Sequence, residues 1–203
     1  MCGIVAASAQ REISGILLNG LQTLEYRGYD SAGLALLDGE QQLQRLRTVG
    51  KVAELVQLHQ QQPIHGRCGI AHTRWATHGV PSTPNAHPHI SRQRLALVHN
   101  GIIENHAELR SELRAAGFEF SSETDTEVIA HLIEQRMDQG ADLLRAVSEC
   151  CQRLRGAFAI AVVSQREPGV VVGARRGSPL VLGVGFEEHF LASDVHPLLA
   201  VTN

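Results

Sequence analysis

Apolar residues along this 203-residue chain fall into short runs and periodic stretches, and their spacing predicts a mixed structure. Ile4-Val5-Ala6-Ala7 reads as a buried strand at the amino terminus. Ile13, Ile16, Leu17, Gly20, Leu21 and Leu24 then recur at helical spacing and give one face to a core. That helix is expected to run out at Tyr26-Arg27-Gly28-Tyr29-Asp30, where Gly28 can take the left-handed backbone that stops a helix. Ser31 to Leu37 predicts a strand, Lys51 to Leu58 a short helix, and Cys68 to His72 and Leu95 to His99 two more buried strands. Ile102 to Asn105 leads into a helix with Leu109, Leu113 and Ala116 on its apolar side, stopped by Gly117. Val128, Ile129, Leu132 and Ile133 mark another helix, and Ala141 to Leu154 the next. A hairpin of Ala157 to Val163 and Val170 to Ala174 turns through Pro168-Gly169, and Pro179 to Val184 and Phe190 to Ala192 add two strands. Some eight strands and five helices without strict alternation argue for an α+β fold with antiparallel sheets. Many strands are apolar on both faces, which suits two stacked sheets covered outside by helices.

Composition alters this picture little but narrows the partners. With 43% hydrophobic residues, 19% charged residues and a net charge of -3, nothing electrostatic favours nucleic acid or an anionic membrane. One domain over residues 1–203 is the expectation at this length. Cys2, Cys68, Cys150 and Cys151 form no C-x-x-C pair and no disulfide or zinc spacing, which fits a reducing cytoplasm. No apolar run approaches the roughly 18 residues of a membrane helix. The first residues also lack the basic and apolar regions of a secretory signal, so action in the cytoplasm is expected.

Candidate chemistry gathers in four stretches and at one arginine. Removal of Met1 would make Cys2 the terminal residue, with a nucleophilic thiol and a free α-amine of pKa about 8 to take its proton. This is the N-terminal-nucleophile variant of a catalytic triad; the plainer alternative is a small residue opening a buried strand. His72-Thr73-Arg74-Trp75-Ala76-Thr77-His78-Gly79, followed by Pro81, Pro84, Asn85, His87, Pro88 and His89, predicts a loop that carries the only tryptophan, an arginine and several histidines. The histidine spacings match no common zinc pattern and no acidic residue lies among them, so packing around a polar ligand is favoured over a metal. Asn100-Gly101 is either a turn or a side-chain amide beside an unhindered backbone N–H, the donor pair of an oxyanion hole. In Ser122-Glu123-Thr124-Asp125-Thr126-Glu127 helix capping does not use every carboxylate, which leaves one to bind a substrate ammonium. Arg27, at the helix exit, is either a solvated charge or a donor aimed at an acidic group.

Taken together, Cys2-Gly3-Ile4, Glu25 to Gly33, His72 to Gly79, His99-Asn100-Gly101 and Ser122 to Glu127 resemble, in order and over the whole chain, the glutaminase domain of the glucosamine-6-phosphate synthase family. The resemblance implies a four-layer αββα sandwich of the N-terminal-nucleophile hydrolase type that hydrolyses the side-chain amide of glutamine. By that resemblance Cys2 is the nucleophile that forms a γ-glutamyl thioester, and Asn100 with the Gly101 N–H forms the oxyanion hole. Arg74 would hold the substrate α-carboxylate and Asp125 its α-ammonium. Thr77 and His78 would line the same pocket, with His87 a structural contact nearby. Arg27 and Trp75 would lie at the edge, the tryptophan helping to close the site and gate ammonia. No cofactor and no metal are implied. The family's partner is a pair of sugar-isomerase domains that take the ammonia to fructose 6-phosphate and carry most of the dimer contact; they are not in this sequence. Three other readings are a glutaminase domain of another class II amidotransferase, a glutamine-binding module without turnover, and a histidine-rich metal protein.

Overall fold

The structure, a computed structural model, describes residues 2–75 and 80–202. In chain order its main elements are β1 (Gly3–Ser8), α1 (Ser14–Thr23), β2 (Ser31–Leu37), β3 (Leu43–Val49), α2 (Val52–Gln61), β4 (Cys68–Arg74), β5 (His89–Ser91) and β6 (Leu95–Gly101). Then come α3 (His106–Ala115), α4 (Thr126–Asp138), α5 (Leu143–Arg153), β7 (Phe158–Ser164), β8 (Val171–Arg176), β9 (Val181–Val184) and β10 (His189–Ala192). The strands form a six-stranded sheet in the order β3-β2-β4-β1-β10-β9 and a four-stranded sheet in the order β5-β6-β7-β8, with every named pairing antiparallel.

Strand periodicity explains the layering. Successive side chains point to opposite faces. In β1, Val5 and Ala7 meet α1, while Ile4 and Ala6 face the other sheet. In β6, Leu95 and Leu97 pack under α4 and Ala96 and Val98 face inward; in β7, Phe158, Ile160 and Val162 face out and Ala159, Ala161 and Val163 face in. Both faces of these strands are apolar because each meets a core. The inward residues are mostly small, and the outward Leu and Phe each bring about 1.5–3 kcal/mol of burial against the helices. Helices α1 and α2 thus cover one sheet and α3, α4 and α5 the other, a four-layer αββα sandwich.

Three features differ from the expectation. Among the described residues there are ten strands, because β3 and β5 join the eight read from hydrophobicity. The β3 sequence LQRLRTV is mostly half-exposed and polar, and it is held as a strand by its full pairing to β2. Strand β4 also runs two residues past His72: Thr73 and Arg74 sit opposite Ala32 and Ser31 of β2, so two neighbouring strands impose extended backbone on a polar segment. Asp125 occupies the residue before α4 but its side chain does not cap the helix. Gly28, as expected, has positive φ (70°) and closes the short 3-10 turn Glu25–Arg27 that follows α1.

Candidate active site

Continuing the inward-facing alternation toward one end of the sandwich changes its chemistry. In β4 the inward residues Cys68 and Ile70 are followed by His72 and Arg74, in β6 Ala96 and Val98 by Asn100, and in β1 Ala6 and Ile4 are preceded by Cys2. The β1–β4 register sets Ile4 opposite His72, which brings Cys2 beside Arg74. An apolar inter-sheet layer therefore ends in a nucleophile, a guanidinium, an imidazole and an amide.

Backbone and side-chain bonds hold this end in place. The Trp75 N–H donates to Cys2 Sγ at 3.2 Å, and Sγ lies 3.7 Å from the Trp75 carbonyl. The Cys2 carbonyl accepts from Asn100 Nδ2 at 3.2 Å and from Arg27 Nη1 at 3.3 Å. Asn100 Oδ1 in turn lies 2.9 Å from His72 Nε2. Arg27 also pairs with Asp194 at 2.5 Å and donates to the Ser193 carbonyl at 3.3 Å, while Ser193 Oγ accepts from the Ile4 N–H at 3.0 Å. Arg27 is thereby a clamp that fastens the amino-terminal strand to the segment after β10. Gly101, next to Asn100, has φ 140°, and a Cβ there would run into the Ala157 carbonyl. Only glycine fits that bend.

Electrostatics favour a thiol that needs help to ionise. Burial raises the Cys2 pKa, opposed by the Trp75 N–H and by the charge of Arg74. A raised thiol pKa leaves little thiolate at neutral pH, so the attack requires a base. No His, Asp or Glu side chain among the described residues hydrogen-bonds Sγ.

The acidic stretch separates into three jobs. Glu123 binds Asn85 Nδ2 at 3.2 Å. Burial disfavours the charge on Glu127, yet hydrogen bonds from His131, Ser122 and the Ser121 N–H outweigh it and hold its carboxyl below the usual range. Asp125 Oδ2 accepts the Ile103 N–H at 2.7 Å, just past Asn100-Gly101, and its other oxygen has no hydrogen-bond partner among the described residues. Of the three, Asp125 has an oxygen left for a ligand beside the amide.

Histidines fill the space under this end. His87 stacks on His72 with ring centroids 4.3 Å apart, and Thr126 Oγ1 lies 2.9 Å from both His87 Nε2 and His99 Nδ1. His89 Nε2 contacts Thr124 Oγ1 at 3.0 Å. Burial lowers the pKa of His72 to about 3 and holds His87 and His89 well below the ordinary value, so the rings are neutral packing and hydrogen-bonding groups. No group of three or more His, Cys, Asp or Glu among the described residues is disposed to hold a metal. Trp75 is 53% exposed and its ring lies against Gly28. Thr77 and His78 lie outside the described residues.

Sequence reasoning gave no role to His72, Ser193, Asp194 or Thr126. For His72 a signal existed, since it follows Cys68 and Ile70 on one strand face. The Arg27–Asp194 clamp joins residues far apart in the chain and left no local trace.

Comparison with known proteins bears on this geometry. Residues 72–200 match the family model described as a glutamine amidotransferase domain. Over 202 residues the chain is 56% identical to the glutamine--fructose-6-phosphate aminotransferase [isomerizing] of Shigella flexneri and of Escherichia coli K12, and 57% identical to that of Photorhabdus laumondii. These matches cover 100% of this chain and 33% of each relative, so the chain spans about a third of their length. Among solved structures, the glutamine phosphoribosylpyrophosphate amidotransferase of B. subtilis superposes with a TM-score of 0.84 at 28% identity, over 99% of this chain and 44% of that one. A glutamine aminotransferase class-II domain protein from Silicibacter pomeroyi shares the fold, with a TM-score of 0.64 at 16% identity over 94% of this chain and 88% of that one.

Proposed function

From the premise that this chain belongs to the glutamine amidotransferase domain family, with the αββα fold of the N-terminal-nucleophile type, we propose that it is a glutaminase domain spanning residues 1–203. The observation that carries the reading is Cys2 at the polar end of the inter-sheet layer, its carbonyl bonded to Asn100 and its thiol beside Arg74. With Met1 removed, the free α-amine of Cys2 is the base that the raised thiol pKa requires. The thiol gives its proton to that amine as sulfur bonds to the side-chain carbonyl carbon of glutamine. Negative charge then builds on the substrate oxygen, which takes one hydrogen from Asn100 Nδ2 and one from the Gly101 N–H. Collapse breaks the carbon–nitrogen bond; the ammonium returns its proton to the departing nitrogen, and ammonia leaves a γ-glutamyl thioester. Water, deprotonated by the same amine, attacks the thioester and releases glutamate and the thiol.

Arg74 is the donor for the substrate α-carboxylate, a role suited to a guanidinium, and the open oxygen of Asp125 accepts from the α-ammonium. Thr77 and His78 complete the pocket in this reading, His87 supports it, and Arg27 and Trp75 border it. The relatives are named as aminotransferases acting with glutamine and fructose 6-phosphate, and their 56% identity favours the sugar enzyme over the phosphoribosyl type at 28%. We therefore assign the ammonia to fructose 6-phosphate, bound by sugar-isomerase domains that also make most of the dimer contact, in the cytoplasm.

The test is intact-mass measurement before and after treatment with 6-diazo-5-oxo-norleucine, with mapping of the adduct. Loss of Met1 and one label on Cys2, blocked by glutamine, is the expected result. A processed Cys2 that stays unlabelled would turn the reading toward a binding module.

A further inference from the structure

We propose that His72 is the positioning residue that orients the Asn100 amide and so aims the oxyanion donor at the nucleophile. This rests on the glutaminase reading of the site.

An asparagine side chain has one accepting and one donating end, and rotation by half a turn exchanges them at little intrinsic cost. Two neighbours decide which way it lies. The Cys2 carbonyl can only accept, so the amide nitrogen faces it at 3.2 Å. Oδ1 then lies 2.9 Å from His72 Nε2, which must carry the hydrogen. The other ring nitrogen, Nδ1, is buried without a full hydrogen bond, and the ring's further polar neighbour, the His99 backbone, is a weaker contact than Asn100, so a neutral ring places its single proton on Nε2. Burial keeps the ring neutral, with its pKa near 3, so its charge does not change across the ordinary pH range and the Asn100 contact decides which nitrogen holds the proton. Turned the other way, the amide would set Oδ1 against the Cys2 carbonyl oxygen. An amide nitrogen has two hydrogens: one lies on Cys2, and the second is the one the oxyanion takes.

His72 is itself held rigidly. It is fully buried in the six-stranded sheet, and its ring stacks at 4.3 Å on His87, which bonds Thr126 at the start of α4. Asn100 belongs to the four-stranded sheet. The His72–Asn100 bond therefore fixes the oxyanion donor, carried by one sheet, relative to the nucleophile that leads into the other. Without it the amide can present oxygen where a donor is needed.

The experiment is a double-mutant cycle on glutaminase turnover with His72→Leu, His72→Gln and Asn100→Ala. Asn100→Ala alone should cost about a hundredfold in kcat. His72→Leu should cost about tenfold or more in kcat with KM within about twofold, because the amide is misaimed while substrate contacts persist. His72→Gln, whose amide nitrogen can donate from the same place, should recover most of that loss. In the Asn100→Ala background neither His72 change should lower kcat further. Wild-type kcat in Asn100→Ala would sink the oxyanion reading itself. An impaired Asn100→Ala with an unimpaired His72→Leu would sink only the role of His72. A His72→Leu loss that multiplies the Asn100→Ala loss would show that His72 acts through general packing, and would overturn the proposal. Should His72→Leu fail to fold, His72→Gln decides alone: native near-ultraviolet circular dichroism with kcat as low as Asn100→Ala would overturn it.

Discussion

Cys2 and Cys68 lie on the same inter-sheet layer, at opposite ends, and only their neighbours differ. Cys68 stands opposite Ser8 of β1 and Leu37 of β2, at the end of the inter-sheet cluster that holds Ile70, and its Sγ lies 3.7 Å from the Val170 carbonyl. Burial pushes its pKa up to about 11, and the hydrogen bonds it receives only partly offset this. Cys2 is also raised by burial, but it receives the Trp75 N–H and faces Arg74. A thiol becomes a reagent through what is set beside it and through access to a base, and burial by itself makes it inert. The same alternation that lays down aliphatic residues at one end delivers His72, Arg74 and Asn100 at the other.

The largest effect that sharpens this contrast is removal of the nucleophile. Cys2→Ala should abolish glutamine hydrolysis, a fall on the order of a millionfold, to background. Retained turnover would mean that some other group attacks, and the contrast would collapse. Next comes Gly101→Ala. Its Cβ would run into the Ala157 carbonyl from a φ that alanine resists, so the strand end must shift. Oxyanion N–H and amide then move together, and kcat should fall about a hundredfold or more. Normal kcat in a folded Gly101→Ala would remove the Gly101 N–H from the mechanism.

The histidines at the site end and the thiol at the apolar end titrate with opposite signs. His72, His87 and His89 have folded pKa values below the unfolded value of about 6.5, so the unfolded chain binds more protons and stability falls as pH drops below it. For His72 the slope approaches about 1.4 kcal/mol per pH unit and continues toward its folded value of about 3. Glu127 and Asp194, held low in the fold, add their losses only below about pH 4.5, whereas Glu134, raised by burial, loses stability as pH rises above about 4.5 and opposes the histidines, so His72→Gln rather than the raw slope isolates the histidine contribution. Cys68 has the opposite sign. Its raised pKa gives stability that is present below about pH 8.5 and lost as pH climbs toward 11. Thermal melts across this range should therefore show an acid flank that His72→Gln makes shallower and an alkaline flank that Cys68→Ala makes shallower. Flanks unchanged by these substitutions would break the assignment.

Much of this was legible in the sequence, for reasons that can be stated. Strands apolar on both faces meant two cores, which is how the sandwich could be read before its pairing was known. Cys2, Arg74, Asn100 and Asp125 stood out because their types suit acyl transfer and amino-acid recognition. What escaped was non-local. The polar run from His72 to Arg74 reads as loop by composition, and it is extended because β1 and β2 flank it on both sides. Strand β3 escaped because its residues are half-solvated, and its pairing to β2 supplies what hydrophobicity does not. The bond from the Ile103 N–H that holds the Asp125 side chain comes from 22 residues earlier in the chain. Contacts of that kind depend on which strands become neighbours, and no local window contains that information.

The smallest expected effect tests the inert end. Cys68→Ala removes a buried sulfur whose bonds, to the Val170 carbonyl and with Ser8 and the Gly169 backbone, are weak ones, so stability should fall by about 1 kcal/mol and kcat should stay at the wild-type value. The prediction depends on distance along the layer: Cys68 and His72 occupy the same strand and the same face, yet Ile70 lies between them and passes on no hydrogen bond. Brief treatment of the native wild type with iodoacetamide, followed by peptide mapping, checks the same point without a mutation. Cys2 should be alkylated well before Cys68, and denaturation should equalise them. Equal rates in the native protein would mean that the apolar end opens as readily as the site. Neighbouring groups would then no longer account for the difference between the two thiols.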